Sequence, residues 1–293
     1  MYAETFAPLL DFGWSPLRTI RSGDWKYIAA PKPELYDIAH DPGETRNAIA
    51  AEAARAAEMA RQIDAISPAT LPKNEAAADT DARARLQALG YASGRGATGG
   101  EKIDPKDRRE LAAQIARVTS GELQGSPLEA AVRHILSDDP RNPQMNVRLG
   151  YLLLDAGRCE EAARRFTIAI DERFPGADAH LGRAACEVAG KNLPAALRTL
   201  TAAQDVEPDN PVVIANLGMV QSDAGQPAAA IPHLQRALTL DPDLHQARFA
   251  LAIAFARSGR RADAAREAEE LLRRLPSGAP QRAEVERLRD AVR

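Results

Sequence analysis

The residues best suited to chemistry in this chain are two cysteines and a histidine flanked by aspartates. Cys159 and Cys186 have no Cys-x-x-Cys partner and no nearby histidine, so the sequence predicts neither a zinc site nor a disulfide framework. His40 stands between Asp37 and Asp41, a set that would suit a metal ion, but the surrounding YDIAHDPGE is more typical of a solvated turn. We therefore predict no metal site, no cofactor and no catalytic residue.

Other patterns linked to catalysis are incomplete. The sequence has no Gly-x-Ser-x-Gly turn that would expose a nucleophile. The glycine-rich SGRGATGG lacks the Lys-Ser/Thr ending of a phosphate-binding loop and is typical of a flexible linker. Adjacent acids at Glu160-Glu161 and Glu269-Glu270 are expected on solvated helix faces rather than in a paired-carboxylate site. The chain is not expected to be an enzyme.

Charge and hydropathy argue against two classes of partner. The 293 residues include 38 Lys+Arg and 41 Asp+Glu, for a formal net charge of -3. Interspersed, nearly balanced charges give no positive field for nucleic acid or an anionic membrane. No apolar run approaches the roughly 18 residues of a membrane span, and MYAETFAPLLDFGWSPLR does not resemble a signal peptide. The sequence does not fix the compartment: the chain as given would be cytoplasmic, and an upstream exported part would change that.

The elements that position any functional surface follow from a repeat of 34 residues. Small residues and helix breakers recur in one phase: Ala162, Ala196, Ala230 and Ala264; Gly157, Gly225 and Gly259; Pro208, Pro242 and Pro276. Each unit predicts two helices packed closely through small residues, the first ended by glycine and the second by proline. One unit cannot bury its apolar face alone, so several are expected to stack into a solenoid.

This period and pattern resemble the tetratricopeptide repeat. The resemblance implies four repeats over 143–276, a degenerate first unit over 105–142 and a polar-faced capping helix over 277–293. The second of the four repeats departs from the pattern, since Arg183 replaces a leucine and Lys191 replaces a glycine. We therefore predict that its first helix is shifted or loosely packed.

The first segment of the chain predicts a small antiparallel sheet. Ser22-Gly23-Asp24 separates two strand-favouring runs, which is a hairpin signal. Trp14, Trp25 and Tyr27 are expected to supply the core of this sheet rather than a ligand surface.

Two helices and a linker are predicted to follow the sheet. Asn47 is a candidate cap for a long alanine-rich helix. DTDARARLQALGY predicts a shorter helix that ends at Gly90. The glycine-rich stretch over 93–104 then has the composition of a flexible linker.

Three segments together resemble the C-terminal tail of sulfatases of the alkaline-phosphatase-like superfamily. They are FGWSPLRTIRSGDWKYI, PELYDIAHDPGETRN and ARLQALGY. The resemblance covers about residues 1–92 and implies a small sheet with a final helix. Some bacterial sulfatases continue from such a tail into tetratricopeptide repeats. Their nucleophile lies in a Cys-x-Pro-x-Arg or Ser-x-Pro-x-Arg motif, which neither Cys159 nor Cys186 begins. No catalytic residue is therefore carried over, and an upstream sulfatase part would imply export.

The predicted fold class is mainly α: a tetratricopeptide-type α-solenoid preceded by a small α+β subdomain similar to the sulfatase tail. The inner-face positions of the first helices are the best candidates for a partner-binding groove, because concave helical surfaces bind extended or helical segments. By alignment to the repeat they are Gln144, Val147, Tyr151, Leu154, Val212, Ala215, Met219, Ser222, Gln246, Phe249, Ile253 and Ala256.

The predicted function is a non-catalytic protein-protein interaction module whose groove binds a partner segment of apolar character. One alternative is the C-terminal accessory part of a truncated or split sulfatase, with a sulfatase catalytic domain as partner and a role in sulfate-ester hydrolysis. A third is a purely structural scaffold. A separate alternative for the groove is that some of its residues serve only to pack adjacent repeats against each other.

Overall fold

The computed structural model describes residues 1–5, 8, 14–66 and 103–293. Within these residues the chain forms four strands, twelve α-helices and one 3₁₀ turn. It folds into two compact units, Met1–Asn142 and Pro143–Arg293. The predicted helix that ends at Gly90 and most of the predicted linker over 93–104 lie outside the described residues.

The first compact unit begins with an antiparallel sheet in the order β1-β2-β3-β4. Gly23 adopts a φ of 59°, which glycine tolerates without strain, and Ser22 pairs with Trp25 across the two-residue turn. The predicted hairpin is therefore confirmed. The strands are β1 (Tyr2–Thr5), β2 (Leu17–Ser22), β3 (Trp25–Ala29) and β4 (Glu34–Asp37).

Helix α1 (Ala53–Ile66) covers one face of this sheet. Its buried residues recur at helical spacing, as the packing of one helix face requires, and they contact the inward side chains of the strands. Tyr27 belongs to the core of the sheet, as predicted, and half-buried Trp25 packs against that core beneath the Arg55 guanidinium. Trp14 is also buried, but it is not part of this cluster. The cluster consists of Ile20, Tyr27, Leu35, Ala56, Met59 and Ile63.

Asn47 does not cap α1, which begins six residues later at Ala53. The Asn47 Oδ1 atom instead accepts hydrogen bonds from the backbone N–H of Leu35 at 3.1 Å and of Ile49 at 3.0 Å. The Ala48 N–H donates to the Leu35 carbonyl at 2.8 Å. The polar backbone groups of a buried edge residue need partners, and Asn47 and Ala48 supply them for the N–H and the carbonyl of Leu35.

A helix pair completes the first compact unit. A 3₁₀ turn (Pro105–Arg108) leads into α2 (Arg109–Thr119), and α3 (Gly125–Asp138) follows. Both helices bury apolar side chains, among them Ile115 of α2 and Val132 of α3.

Asp104 links the start of this helix pair, through hydrogen bonds, to the loop between β3 and β4. Its side chain is buried, with 4% of the residue exposed, and it accepts hydrogen bonds from the backbone N–H groups of Lys32 and Lys106, both at 2.9 Å. The Lys106 ammonium lies 3.2 Å from the same carboxylate and donates to the Lys32 carbonyl at 2.6 Å. Burial alone would raise the pKa of Asp104, but these hydrogen bonds and the ammonium outweigh it and lower the pKa.

The second compact unit contains four helix pairs and a final helix, so the predicted array of helix pairs is observed. The first helices of the first, third and fourth repeats end just before Gly157, Gly225 and Gly259, whose φ values are 72°, 79° and 74°. The helices are α4 (Pro143–Asp155), α5 (Cys159–Asp171), α6 (Asp178–Ala189), α7 (Leu193–Val206), α8 (Pro211–Asp223), α9 (Pro227–Leu240), α10 (His245–Arg257), α11 (Arg261–Arg274) and α12 (Arg282–Val292).

The prediction that the second repeat has a shifted or loose first helix is wrong. Helix α6 ends at Ala189, in phase with the other first helices, and Lys191 adopts the left-handed conformation with a φ of 58°. Buried Ala184 supplies the small residue that the close helix contact requires. The backbone cost at Lys191 is of the order of 1–2 kcal/mol, which the packing of α6 between α5 and α7 outweighs.

Close helix approach depends on glycines at a few points. The Phe166 ring lies between Gly150 of α4 and Gly182 of α6. A Cβ atom at Gly150 would lie 2.6 Å from that ring, and one at Gly218 would lie 2.8 Å from Leu234 Cγ. The predicted use of small residues is confirmed at these contacts, and Gly182 adds a contact between two repeats.

Helix α12 packs against α10 and α11 at the C-terminal side of the fourth repeat. Its buried Val285 joins a cluster with Leu271 and Leu275, while Val292 reaches the cluster that contains Phe255. The face of α12 opposite these buried residues carries exposed charged side chains, which fits the predicted polar-faced cap.

Candidate functional site

Each first helix of the array has two positions, seven residues apart, whose side chains remain accessible. Seven residues are about two helical turns, so the two positions share one face. The first position is exposed in all four repeats, and the second is exposed at Ala185 and half-buried elsewhere. We name these residues the accessible stripe: Gln144, Tyr151, Asp178, Ala185, Val212, Met219, Gln246 and Ile253.

Three residues of the predicted groove lie inside the array instead. Val147, Ala215 and Ser222 are buried, so their side chains are not available to a partner. They stand about 40–80° around the helix from the stripe residues, on the side that packs against neighbouring helices. The structure therefore corrects the predicted groove at these three positions.

The other predicted groove residues outside the stripe are half-buried. Phe249 packs against the cluster that contains Leu271 and Val285, and Ala256 packs against the cluster of the third and fourth repeats. These two side chains pack between helices, as expected by the alternative that some groove residues only pack adjacent repeats against each other. Leu154 remains half-exposed beside Tyr151.

The prediction omitted the second repeat, although it contributes Asp178 and Ala185 to the stripe. The departures at Arg183 and Lys191 obscured the alignment there. The 34-residue interval from Tyr151 to Ala185 is the signal that finds these residues.

Tyr151 is held in place by two contacts. Its hydroxyl donates a 2.9 Å hydrogen bond to the backbone carbonyl of Asp178 in the next repeat, and its ring meets Phe166 edge-on at 5.0 Å. Burial, with a further effect of Asp178, raises the pKa of Tyr151 to about 12. Tyr151 is therefore a neutral donor that links the first two repeats, and its substitution would disturb the fold as well as the surface.

Charged groups lie at two points along the stripe. In the stripe itself, partial burial of the carboxyl, followed by the nearby Glu207, raises the pKa of Asp178. At the C-terminal end of α8, the Arg257 guanidinium donates to the Ser222 hydroxyl and lies 3.0 Å from the Asp223 carboxylate. This bond explains why Ser222 is withdrawn from the surface.

The histidine and aspartates near residue 40 form a turn. The His40 Nδ1 atom lies 2.9 Å from Asp37 Oδ2, and a hydrogen bond with His40 lowers the pKa of Asp37. Asp41 accepts hydrogen bonds from the backbone N–H groups of Thr45 and Arg46, both at 2.8 Å. In residues 1–5, 8, 14–66 and 103–293, no group of three or more His, Cys, Asp or Glu side chains is placed to hold a metal ion.

None of the described helices combines the length and the apolar character that a bilayer crossing requires.

Comparisons with known proteins agree with the repeat architecture. A family model described as tetratricopeptide repeat matches residues 147–211 and 216–280. A tetratricopeptide repeat protein from Parabacteroides merdae is 17% identical, with a TM-score of 0.52, over 64% of this chain and 72% of that chain. A MamA fragment from Desulfovibrio magneticus RS-1 is 19% identical, with a TM-score of 0.50, over 62% and 97%. No curated protein sequence matches the chain.

The fold is therefore a mainly helical, tetratricopeptide-type solenoid preceded by a small four-stranded antiparallel sheet. This confirms the predicted fold class. The family-model match lies within the array, and the resemblance of residues 1–92 to a sulfatase tail remains a prediction.

Proposed function

We propose that the chain is a non-catalytic protein-interaction module whose accessible stripe binds a partner segment. The observation that carries this proposal is the row of second positions, Tyr151, Ala185, Met219 and Ile253, which stays accessible in four consecutive repeats. Solenoids of helix pairs commonly bind partners along such extended surfaces. Each half-exposed apolar side chain offers area whose burial is worth about 25 cal/mol per Å².

The chemistry of the stripe defines the partner. The second positions are apolar or aromatic, while Gln144, Asp178 and Gln246 make three of the four first positions polar. A segment with apolar side chains along one edge and hydrogen-bond donors along the other would complement both rows. A clamp for a terminal carboxylate is not expected, because Val147 and Ala215 are buried and apolar where its basic residues would stand.

The test compares two charged substitutions on different surfaces of the array. Ala185→Glu changes the middle of the stripe at an exposed position, so the fold should tolerate it. Val206→Glu is the matched control, because Val206 of the second helix α7 is 48% exposed and lies outside the stripe.

The full-length chain and both variants would be used to capture partners, which are then quantified by mass spectrometry. We expect Ala185→Glu to lose the captured partner by tenfold or more, about 1.4 kcal/mol, while Val206→Glu retains it. Helical circular dichroism checks that all three proteins are folded. Equal capture by Ala185→Glu and the wild type would contradict the assignment of the stripe.

An association of residues 1–92 with sulfate-ester hydrolysis through a separate catalytic domain remains the alternative prediction. Supplying the purified chain with calcium and an aryl sulfate tests whether the chain itself is catalytic. Hydrolysis above the buffer background would overturn the non-catalytic proposal.

A further inference from the structure

Two cysteines that are distant in sequence meet at the junction of the first two repeats. Cys159 begins helix α5, and Cys186 lies in the last turn of helix α6. These consecutive helices pack directly, with Phe166 of α5 against Gly182 of α6. Because they run antiparallel, the start of α5 lies beside the end of α6. Cys159 stands about two turns before Phe166, and Cys186 stands about one turn after Gly182, so both lie on the helix faces that meet at this contact. Both thiols are free.

The two thiols differ in access to solvent. Cys159 is half-buried, whereas only 6% of Cys186 is exposed. A small reagent therefore reaches Cys159 first. Cys186 is available to the sulfur of Cys159, its neighbour across the helix contact, rather than to a reagent in solution.

We propose that Cys159 and Cys186 are a reversible dithiol–disulfide pair, with a low-molecular-weight disulfide such as glutathione disulfide as the oxidant. The Cys159 thiolate, after losing its proton to solvent, attacks one sulfur of the oxidant. The S–S bond of the oxidant breaks and one small thiolate leaves, which gives a mixed disulfide on Cys159. The Cys186 thiolate, formed in the same way, attacks the Cys159 sulfur and expels the second small thiolate. Both leaving thiolates take up protons, so two protein thiols are oxidised and one small disulfide is reduced.

The protonation of Cys186 agrees with its place as the second nucleophile. Burial, followed by the contact with Cys159, raises the pKa of Cys186 to about 11. Thiol–disulfide exchange requires the thiolate, so this side chain reacts slowly with reagents and depends on a sulfur held beside it. The resulting bond would join α5 of the first repeat to α6 of the second, directly beside Ala185 of the stripe.

The experiment uses the full-length chain, first reduced and then incubated with glutathione disulfide. We expect an intact mass lower by two hydrogens with no glutathione retained, two thiols lost in a count after denaturation, and one peptide pair linked through Cys159 and Cys186. Dithiothreitol should restore both thiols. A wild-type chain that keeps glutathione on Cys159 while Cys186 stays a thiol would overturn the proposal, as would cross-links between chains.

Two conservative variants separate the roles of the cysteines. Cys186→Ser should retain one glutathione on Cys159, because no second thiol displaces it. Cys159→Ser should react at least about tenfold more slowly than the wild type, because Cys186 is buried. Similar circular dichroism of the three proteins establishes that they are folded. If Cys159→Ser is folded and reacts at the wild-type rate, the order of attack is wrong and the proposal fails.

Discussion

Gly182 of α6 lies so close to the Phe166 ring of α5 that a methyl group at residue 182 would overlap the aromatic carbons. The same ring touches the position of Gly150 on its other side. One aromatic side chain thus sets the distance between α5 and the first helices of two repeats.

Substitution Gly182→Ala is expected to destabilise the array by about 1–3 kcal/mol, because the ring has no free space into which to move. Urea unfolding followed by helical circular dichroism measures the effect. Gly278→Ala is the control, since a Cβ atom there would contact nothing within 4 Å. The loss of stability caused by Gly182→Ala should be smaller when Phe166 is also replaced by leucine. An unchanged cost in that background would show that the ring is not its cause.

Substitution Lys191→Gly is expected to stabilise the second repeat by about 0.5–1 kcal/mol. Lys191 has a φ of 58°, and the relief of this conformation exceeds the entropy that glycine gains in the unfolded chain. The converse change, Gly225→Lys, should cost a similar amount, because Gly225 has a φ of 79° and open space around it. Thermal denaturation of both variants gives the sign. A loss of stability in Lys191→Gly would mean that the lysine side chain makes a contact that outweighs its backbone cost.

Asp104→Asn should weaken the first compact unit at neutral pH by about 1–3 kcal/mol, because a charged acceptor of several hydrogen bonds is lost. The pKa of Asp104 is below its usual value of 3.8 when the chain is folded, so its contribution is present at neutral pH and is lost as the pH falls through that lowered pKa. The difference between wild type and variant should therefore shrink in acid.

Tryptophan fluorescence suits this measurement, because the two tryptophans of the chain, Trp14 and Trp25, both lie in the first compact unit. Asp205→Asn, at an exposed position of α7, should change nothing in that signal. A difference between Asp104→Asn and the wild type that stays constant down to low pH would rule out the charge as its origin.

Val285→Thr tests how α12 is attached. The two side chains have nearly the same shape, but threonine would place a hydroxyl among Leu271, Leu272 and Leu275. We expect a loss of about 1–3 kcal/mol from this unpaired polar group. Glu284→Ala, one residue earlier and exposed, should stay within about 0.5 kcal/mol of the wild type in the same urea titration. Equal effects of the two changes would show that α12 is only loosely attached.

The repeat could be predicted from sequence because its signals are local. Gly157, Gly225 and Gly259 stand where a left-handed residue ends a helix, and the structure places them in that conformation. The prediction of a shifted helix near Lys191 was wrong, because the backbone free-energy cost of one residue is smaller than the stabilisation from packing a whole helix. The predicted cap at Asn47 was also wrong, because its side chain accepts from Leu35 of a neighbouring strand rather than capping the helix that follows.

The candidate site was only partly predictable from sequence, because side-chain burial also depends on the packing of whole helices. The period of 34 residues assigns residues to the first helices, but it does not say which of them the next helix covers. Val147 and Ala215 match the repeat pattern as well as Tyr151 and Met219 do, yet the first two are buried. Burial depends on how neighbouring helices contact each other, which requires the structure.

The stripe also sets a distance scale for its partner. Helix α4 contacts α6, and α8 contacts α10; packed helices have axes about 8–10 Å apart. A chain in polyproline II conformation advances about 3.1 Å per residue and repeats its orientation every third residue. A segment of that kind, with an apolar residue at every third position, would place successive side chains opposite Tyr151 and Ala185 in the first two repeats, or opposite Met219 and Ile253 in the last two.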